Sequence, residues 1–259
     1  MKSLVRIGNF ILVLVCCAWA GVLWGQDSGT QLSGQAGAAN EKKRTETVTY
    51  QAKLLKAVWG QEDKVILTGG VKFTHGDTVL TCDEVQYDRK TGIATSSGRI
   101  TISDPECDIV ADKGVVYFKK RLGVLEGSVT LLVKPKPEEE QTSTADKTDS
   151  ESIRARFTKP TTVTCAKLDY DYRSKIAVAS GGVKLSQDKR IVTAEKLVYD
   201  DRNQLVTLIG NVTGVDEEGQ TFRSPDKVTI CIKRGAEWME APNATATFKV
   251  EIEEESTNK

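Results

Sequence analysis

Residues 69–102 and 181–214 align without a gap at an offset of 112, and ten of the 34 positions are identical. Gly69, Gly70, Val71, Lys72, Thr81, Tyr87, Asp88, Thr95, Gly98 and Thr101 recur as Gly181, Gly182, Val183, Lys184, Thr193, Tyr199, Asp200, Thr207, Gly210 and Thr213. Where the copies differ, apolar positions stay apolar: Phe73 meets Leu185, Val79 meets Ile191, Val85 meets Leu197 and Ile100 meets Val212. A duplication that preserves apolar positions preserves a core. The chain is therefore constrained to an architecture made of copies.

A shorter period lies within the long one. The signature is a small residue, a charge, a third position, an apolar residue, any residue and Tyr, as in CDEVQYD at 82–88, CAKLDYD at 165–171 and AEKLVYD at 194–200. ADKGVVYF at 111–118 reads as a copy with one extra residue, and AKLL at 52–55 and PDKVTI at 225–230 as degenerate end copies. The copies begin at 52, 82, 111, 165, 194 and 225, so the step is 29 to 31 residues except for one of 54, which contains a polar tract. A constant step of this size is the mark of units that stack in one direction.

Within a unit, apolar and polar residues alternate. Val71, Phe73, Val79, Thr81, Val85, Tyr87, Ile93 and Thr95 are odd-numbered, and Lys72, Thr74, Glu84, Gln86 and Asp88 fall between them. A period of two with β-branched residues predicts half-buried strands with the odd positions inward. Turn signals at 68–70, 75–77, 88–92 and 97–98 divide each unit into several short strands, with Gly69-Gly70 and Gly181-Gly182 as hairpin glycines. At Gly98 and Gly210 the apolar parity changes, which predicts a bulge or a corner between sheets. The expected fold is all-β: an elongated antiparallel β-roll or jellyroll, an open-edged sandwich of two sheets.

The boundaries follow from composition. Residues 1–25 have a basic start (Lys2, Arg6), an apolar run and an Ala18-Trp19-Ala20 cleavage pattern, and read as a signal peptide or an N-terminal membrane anchor. Residues 26–47 are a flexible linker and 48–133 the first repeat unit. Residues 134–153 are a polar insert, 154–250 the second unit and 251–259 an acidic tail.

Lys+Arg and Asp+Glu both number 36, so no basic excess points to nucleic acid. Beyond the leader, Cys82, Cys107, Cys165 and Cys231 form no CxxC, which excludes a zinc ribbon or a thioredoxin motif. Three disulfide pairings, or four buried thiols, remain open. His75 is the single histidine, in a turn and with Gln187 at the equivalent position, so it reads as a surface residue and not as a base. Asp83, Asp112, Glu195 and Asp226 recur at one repeat position, which fits pairing with the adjacent Lys or capping of a turn. The tyrosines Tyr87, Tyr117, Tyr170 and Tyr199 read as a ladder that either stabilises a sheet or lines a cavity. No catalytic residue, metal site or cofactor is expected.

The pattern of 68–71, 82–88, 98–100, 111–117, 127–129, 165–171, 182–183, 194–200 and 210–212 resembles the OstA-like family of lipopolysaccharide transport proteins, of the bridging or the anchored type, over 48–133 and 154–235. The resemblance implies a periplasmic roll of two facing sheets that cradles the acyl chains of lipopolysaccharide or a related lipid. It also implies copies that join through edge strands to other OstA-like proteins, to themselves, or to inner- and outer-membrane transport components. The acyl-lining positions it implies are Val71, Phe73, Val79, Val85, Tyr87, Ile93, Ile100, Val115 and Tyr117 in the first copy, and Val183, Leu185, Ile191, Leu197, Tyr199, Leu205 and Val212 in the second. Lys72, Arg89, Lys184 and Arg202 are the cations available to its phosphates. The insert, the long linker and the extra cysteines depart from the simplest members. The alternative is an extracytoplasmic scaffold with a fully packed core that binds envelope proteins through its sheet edges. A third class, an extracytoplasmic enzyme, has only chain length in its favour.

Overall fold

The computed structural model describes residues 47–134, 159–233, 235–247 and 249. The leader 1–25, the linker except residue 47, the insert except residue 134, and the tail 251–259 lie outside the described residues. Among the described residues there are sixteen strands and no helix. The chain divides into two compact units, 1–126 with 171–173, and 127–170 with 174–259.

The first unit contains β1 (Thr49–Gln51), β2 (Leu54–Val58), β3 (Lys64–His75), β4 (Thr78–Asp88), β5 (Ile93–Ser103), β6 (Cys107–Tyr117) and the start of β7 (Leu122–Val133). The second unit takes the rest of β7, then β8 (Thr161–Asp171), β9 (Ile176–Gln187), β10 (Arg190–Asp200), β11 (Leu205–Ile209), β12 (Val212–Val215), β13 (Thr221–Ser224), β14 (Lys227–Cys231), β15 (Trp238–Glu240) and β16 (Thr245–Thr247). Strands follow sequence order in antiparallel hairpins from β3 to β6 and from β9 to β11. The repeat step therefore corresponds to one pair of long strands, and not to several short ones.

The double glycines are the reason. Thr68 pairs with Glu84, and the next rung is Val71 with Cys82, so Gly69 and Gly70 stand opposite the single residue Asp83. The stretch is a bulge inside β3, and not the hairpin turn that its composition suggests. Gly181-Gly182 make the same bulge in β9, between the rungs Ala194–Val183 and Lys196–Ser180. Of the bulge or corner expected at Gly98, the structure has the bulge, in β5, with φ at 91°. At Gly210, φ at 79°, the strand is interrupted outright and becomes β11 and β12. A side chain at Gly98 or Gly210 meets two obstacles. Positive φ is disfavoured for residues with a Cβ, and a Cβ would lie 3.0 Å from Asp83 Oδ2 or 2.5 Å from Glu195 Oε2.

That contact explains the recurring second position of the signature. Asp83 and Glu195 lie over the bulge glycine of the next strand, as Lys53 lies over Gly69 and Ala166 over Gly181. Position, not charge, is what repeats. Glu195 and Asp226 in addition accept from the side-chain amides of Asn211 (2.7 Å) and Asn243 (3.1 Å).

The bulges let each long strand serve two sheets. β3 pairs with β2 along Lys64–Thr68 and with β1 along Lys72–Thr74. At the far end β10 pairs with β11 along Lys196–Asp200 and with β12 along Ile191–Thr193. The β11 branch continues to β14 and β15, and the β12 branch to β13 and β16. Both branches feed one core: buried Ala194, Leu208, Val212 and Val228, packed by Leu185, Val192, Leu197, Phe222 and Ile230. In the first unit, Phe73, Leu80, Ile102 and Ile109 form one continuous cross-strand row, each no more than 5% exposed. Burying a side chain of this size stabilises by about 1.5–3 kcal/mol. The ion pairs, such as Lys113–Glu126 at 3.0 Å, lie at the surface and contribute roughly 1 kcal/mol or less each. The apolar rows therefore dominate.

The hairpin turns are closed by aspartates. Asp88 Oδ1 accepts from the backbone N–H of Lys90 (2.9 Å) and Thr91 (3.0 Å). Asp200 accepts from Arg202 N and Asn203 N at 3.1 Å and from Asn203 Nδ2 at 2.7 Å. Hydrogen bonds from Thr91 to Asp88, and from the Asn203 side chain to Asp200, hold both carboxyls below the usual carboxylate range.

Two outcomes follow. Gly210→Ala lowers unfolding free energy by about 1–3 kcal/mol in urea titrations, and adding Glu195→Ala restores less than half, because the positive φ remains. A loss below about 0.5 kcal/mol would contradict the bulge requirement. Because the folded pKa values of Asp88 and Asp200 are depressed, their contribution is complete above the unfolded carboxyl pKa, about 4, and is lost as pH falls through the lower folded value. Asp88→Asn with Asp200→Asn therefore flattens the acid limb of stability against pH, measured by thermal melts from neutral to acid pH.

Candidate functional site

The sixteen anticipated lining residues fall on two faces. In the first unit Val71, Phe73, Val85, Tyr87 and Ile100 are buried in the core. Val79, Ile93, Val115 and Tyr117 are half-buried and alternate with the core-facing Leu80, Ala94, Gly114 and Val116, so they point to the opposite face. In the second unit Val183 and Val212 are buried, and Leu185 and Leu197 pack on the core. Tyr199 is half-buried in the same cross-strand row as Val206 and Ile230. Ile191 is exposed, opposite Val215, and Leu205 pairs with Asp200 on the non-core face.

Most of the misplacements have one cause. In β4, Cys82 and Val85 both face inward with Asp83 and Glu84 between them, so the alternation slips by one residue in mid-strand. The odd-parity reading carries Val79 and Thr81 to the wrong side and misses Leu80 and Cys82. Thr81 instead hydrogen-bonds Thr101 across β4 and β5. The same slip occurs in β6 between Ala111 and Gly114. Val116 there takes the place that Tyr87 has in β4, so Tyr117 is not a member of the tyrosine ladder and carries Lys120 Nζ over its ring at 5.3 Å. Phe118, a turn residue that alternation does not flag, closes on Tyr87 edge-to-face at 5.4 Å between centroids.

The two units differ in how fully their interiors are closed. The first unit's cross-strand row is fully buried. In the second, Leu185, Val192, Leu197, Phe222 and Ile230 surround the buried cluster but are themselves only half-buried. Apolar surface between the two branches is thus left partly uncovered.

The polar face repeats as well. Lys72 pairs with Thr81 and Thr81 with Thr101; Lys184 pairs with Thr193, Thr193 with Thr213, and Thr213 with Arg223. Thr193 Oγ1 and Thr213 Oγ1 are 2.6 Å apart. A depression of 350 Å³ beside the first bulge is lined by Lys72, Thr81, Asp83, Arg99 and Thr101 among others. It is open to solvent, and its walls also include Gly70, Val71 and Cys82.

Other groups with chemical potential are accounted for by packing. His75 is buried at the end of β3, not in a surface turn, because it continues the inward series of Val71 and Phe73. Cys82, Cys107, Cys165 and Cys231 are free thiols. Burial, then the charge of Asp104, pushes the Cys107 thiol up to about 12, and burial raises those of Cys82 and Cys165, so these three remain protonated and poor nucleophiles near neutral pH. Among the described residues no group of three His, Cys, Asp or Glu is placed to hold a metal ion.

The chain matches no curated protein. Among solved structures, it is similar to LptH from Pseudomonas aeruginosa, described as the LptA-homologous periplasmic component of the conserved lipopolysaccharide transport device. Identity is 16%, covering 79% of this chain and 96% of that one, with a TM-score of 0.28. The sequence model of the family described as LptA/(LptD N-terminal domain) LPS transport protein matches residues 51–236, which run from the end of β1 through the turn after β14. This repeat of bulged strand pairs, over most of the chain, belongs to the LptA/LptD N-terminal domain family of lipopolysaccharide transport proteins.

Proposed function

We propose that the chain is a periplasmic, non-catalytic carrier that holds the acyl chains of lipopolysaccharide, or of a related amphiphile, between the two branches of its sheet. One observation carries the reading: the ring of half-buried apolar side chains, Leu185, Val192, Leu197, Phe222 and Ile230, around the second unit's buried cluster. Apolar side chains left partly uncovered between two sheets gain from contact with a hydrocarbon chain, at about 0.8 kcal/mol per methylene transferred. In the first unit the cross-strand row from Phe73 to Ile109 is already buried. Of the anticipated lining set, Val183, Leu185, Leu197, Tyr199 and Val212 are the ones in position for this role.

Further chains of the same kind, or membrane-embedded transport components, fit the sheet edges. Among the described residues β2 pairs only with β3, and β16 only with β13. Leu54 and Leu55 on β2 are exposed, as are Trp238 and Met239 on β15. An uncovered strand edge is a template for another strand.

The test is direct. A photoreactive residue in place of Leu197 crosslinks to lipopolysaccharide in cells, and one in place of the exposed Lys196 does not. Leu197→Asp lowers co-purifying lipid about tenfold or more, because a carboxylate in a hydrocarbon groove is costly. Purified protein that carries no amphiphile by mass spectrometry, with no crosslink at Leu197, would exclude the carrier role and leave the scaffold.

A further inference from the structure

We infer that one rim of the first unit, the row of turns at the ends of β2, β4 and β6 together with residues 171–173, docks on an anionic membrane surface. Four turns lie side by side there. Arg89 N donates to Asp63 O, Phe118 N to Gly92 O, and Tyr172 N to Arg121 O, at 3.0 to 3.1 Å. The row carries Arg89, Lys90, Lys119, Lys120, Arg121 and Arg173, and at its end Trp59, 72% exposed.

The acids on this rim are already engaged. Glu62 pairs with Lys64 (3.7 Å) and Asp63 with Arg89 (3.4 Å). Asp88 accepts from the backbone of its own turn, and Asp171 accepts from Arg173 N at 2.8 Å. The lysines instead reach neutral groups. Lys90 Nζ donates to Gln61 O (2.6 Å), Lys119 Nζ to Lys90 O (2.8 Å), and Lys120 lies over the Tyr117 ring. Their charge is held in place and not neutralised. The opposite hairpin ends of the same unit carry acids: Asp77 between β3 and β4, and Asp104 and Glu106 between β5 and β6, with Asp108 following. Charge is therefore polarised along the strands, positive at the turn row.

The form of the rim decides the partner. Its backbone is engaged turn to turn, so it offers no strand edge to a protein segment. It offers a line of cations spaced by neighbouring turns and a projecting indole. A surface of many phosphates matches the line of charge, and the amphipathic indole favours the headgroup region of a bilayer.

The experiment uses the full chain with Trp19→Phe, Trp24→Phe and Trp238→Phe, which leaves Trp59 as the single reporter. Vesicles of phosphatidylethanolamine with phosphatidylglycerol shift its emission to the blue and allow quenching by doxyl-labelled lipid; phosphatidylcholine vesicles do not, and high salt reverses the shift. Lys119→Gln/Lys120→Gln/Arg121→Gln, at unchanged melting temperature, raises the anionic lipid needed for half-maximal shift about 100-fold. The apolar leader is common to every variant and so does not bias the comparison. Three results overturn the inference: Trp59 emission that stays at its aqueous value, an equal response to phosphatidylcholine or to the triple variant, or full competition by inorganic phosphate, which would mark an ion site. Leu197→Asp leaves the Trp59 response intact, so failure of the carrier reading and failure of this one are separable.

Discussion

A long strand that serves two sheets has to bend, and the left-handed glycine bulge is the constraint on which this structure rests. Without an extra residue at Gly69-Gly70, Gly98 and Gly181-Gly182, an 11- or 12-residue strand would continue in one sheet. With it, the segments of β3 before and after the bulge pair with different edge strands, β2 and β1. The residue lying over each glycine then has little freedom. Asp83 and Glu195 differ in length yet occupy the same station over the glycine of the next strand.

Bending the strands at one level also sorts the surface. Core-facing positions on either side of the bulge close into rows, polar rungs such as Lys184–Thr193–Thr213–Arg223 line the other face, and hairpin turns collect at the strand ends. Turn chemistry selects Asp at the first position for its backbone hydrogen bonds, but leaves the following residues unconstrained by packing. In the first unit those positions are filled by Arg89, Lys90, Lys119, Lys120 and Arg121. Fold economy alone does not call for such a run, so its charge is available for selection by a partner.

Much of this was legible in the sequence. The repeat required stacked units and alternation required strands; the bulge at Gly98 was anticipated from a parity change that does not exist, because Ala94, Ile100 and Ile102 are all buried and all even-numbered. The phase slip was hidden, because one residue pair, Asp83-Glu84, displaces the alternation without any turn residue to announce it. Gly69-Gly70 misled for the opposite reason: two glycines after Thr suit a tight turn, and only the register with β4 shows a bulge. His75 misled through its turn neighbours Gly76 and Asp77, although its place two residues after Phe73 puts it on the buried face. Local composition identified special backbone, but the long-range pairing decided which special backbone it was.

The duplication carries a further consequence. Two copies under the same packing rule need not keep the same interior. In the first copy β5 is continuous and its row from Phe73 to Ile109 is closed. In the second, the interruption at Gly210-Asn211 splits the equivalent strand, and the two branches separate toward β14 and β13. Leu208 and Val212 still meet in the cluster, but Leu197, Phe222 and Ile230 are left with apolar surface showing. The interruption of the strand at this one bulge thus accompanies the uncovered apolar surface. It uses the same signature residues and needs no new side-chain chemistry.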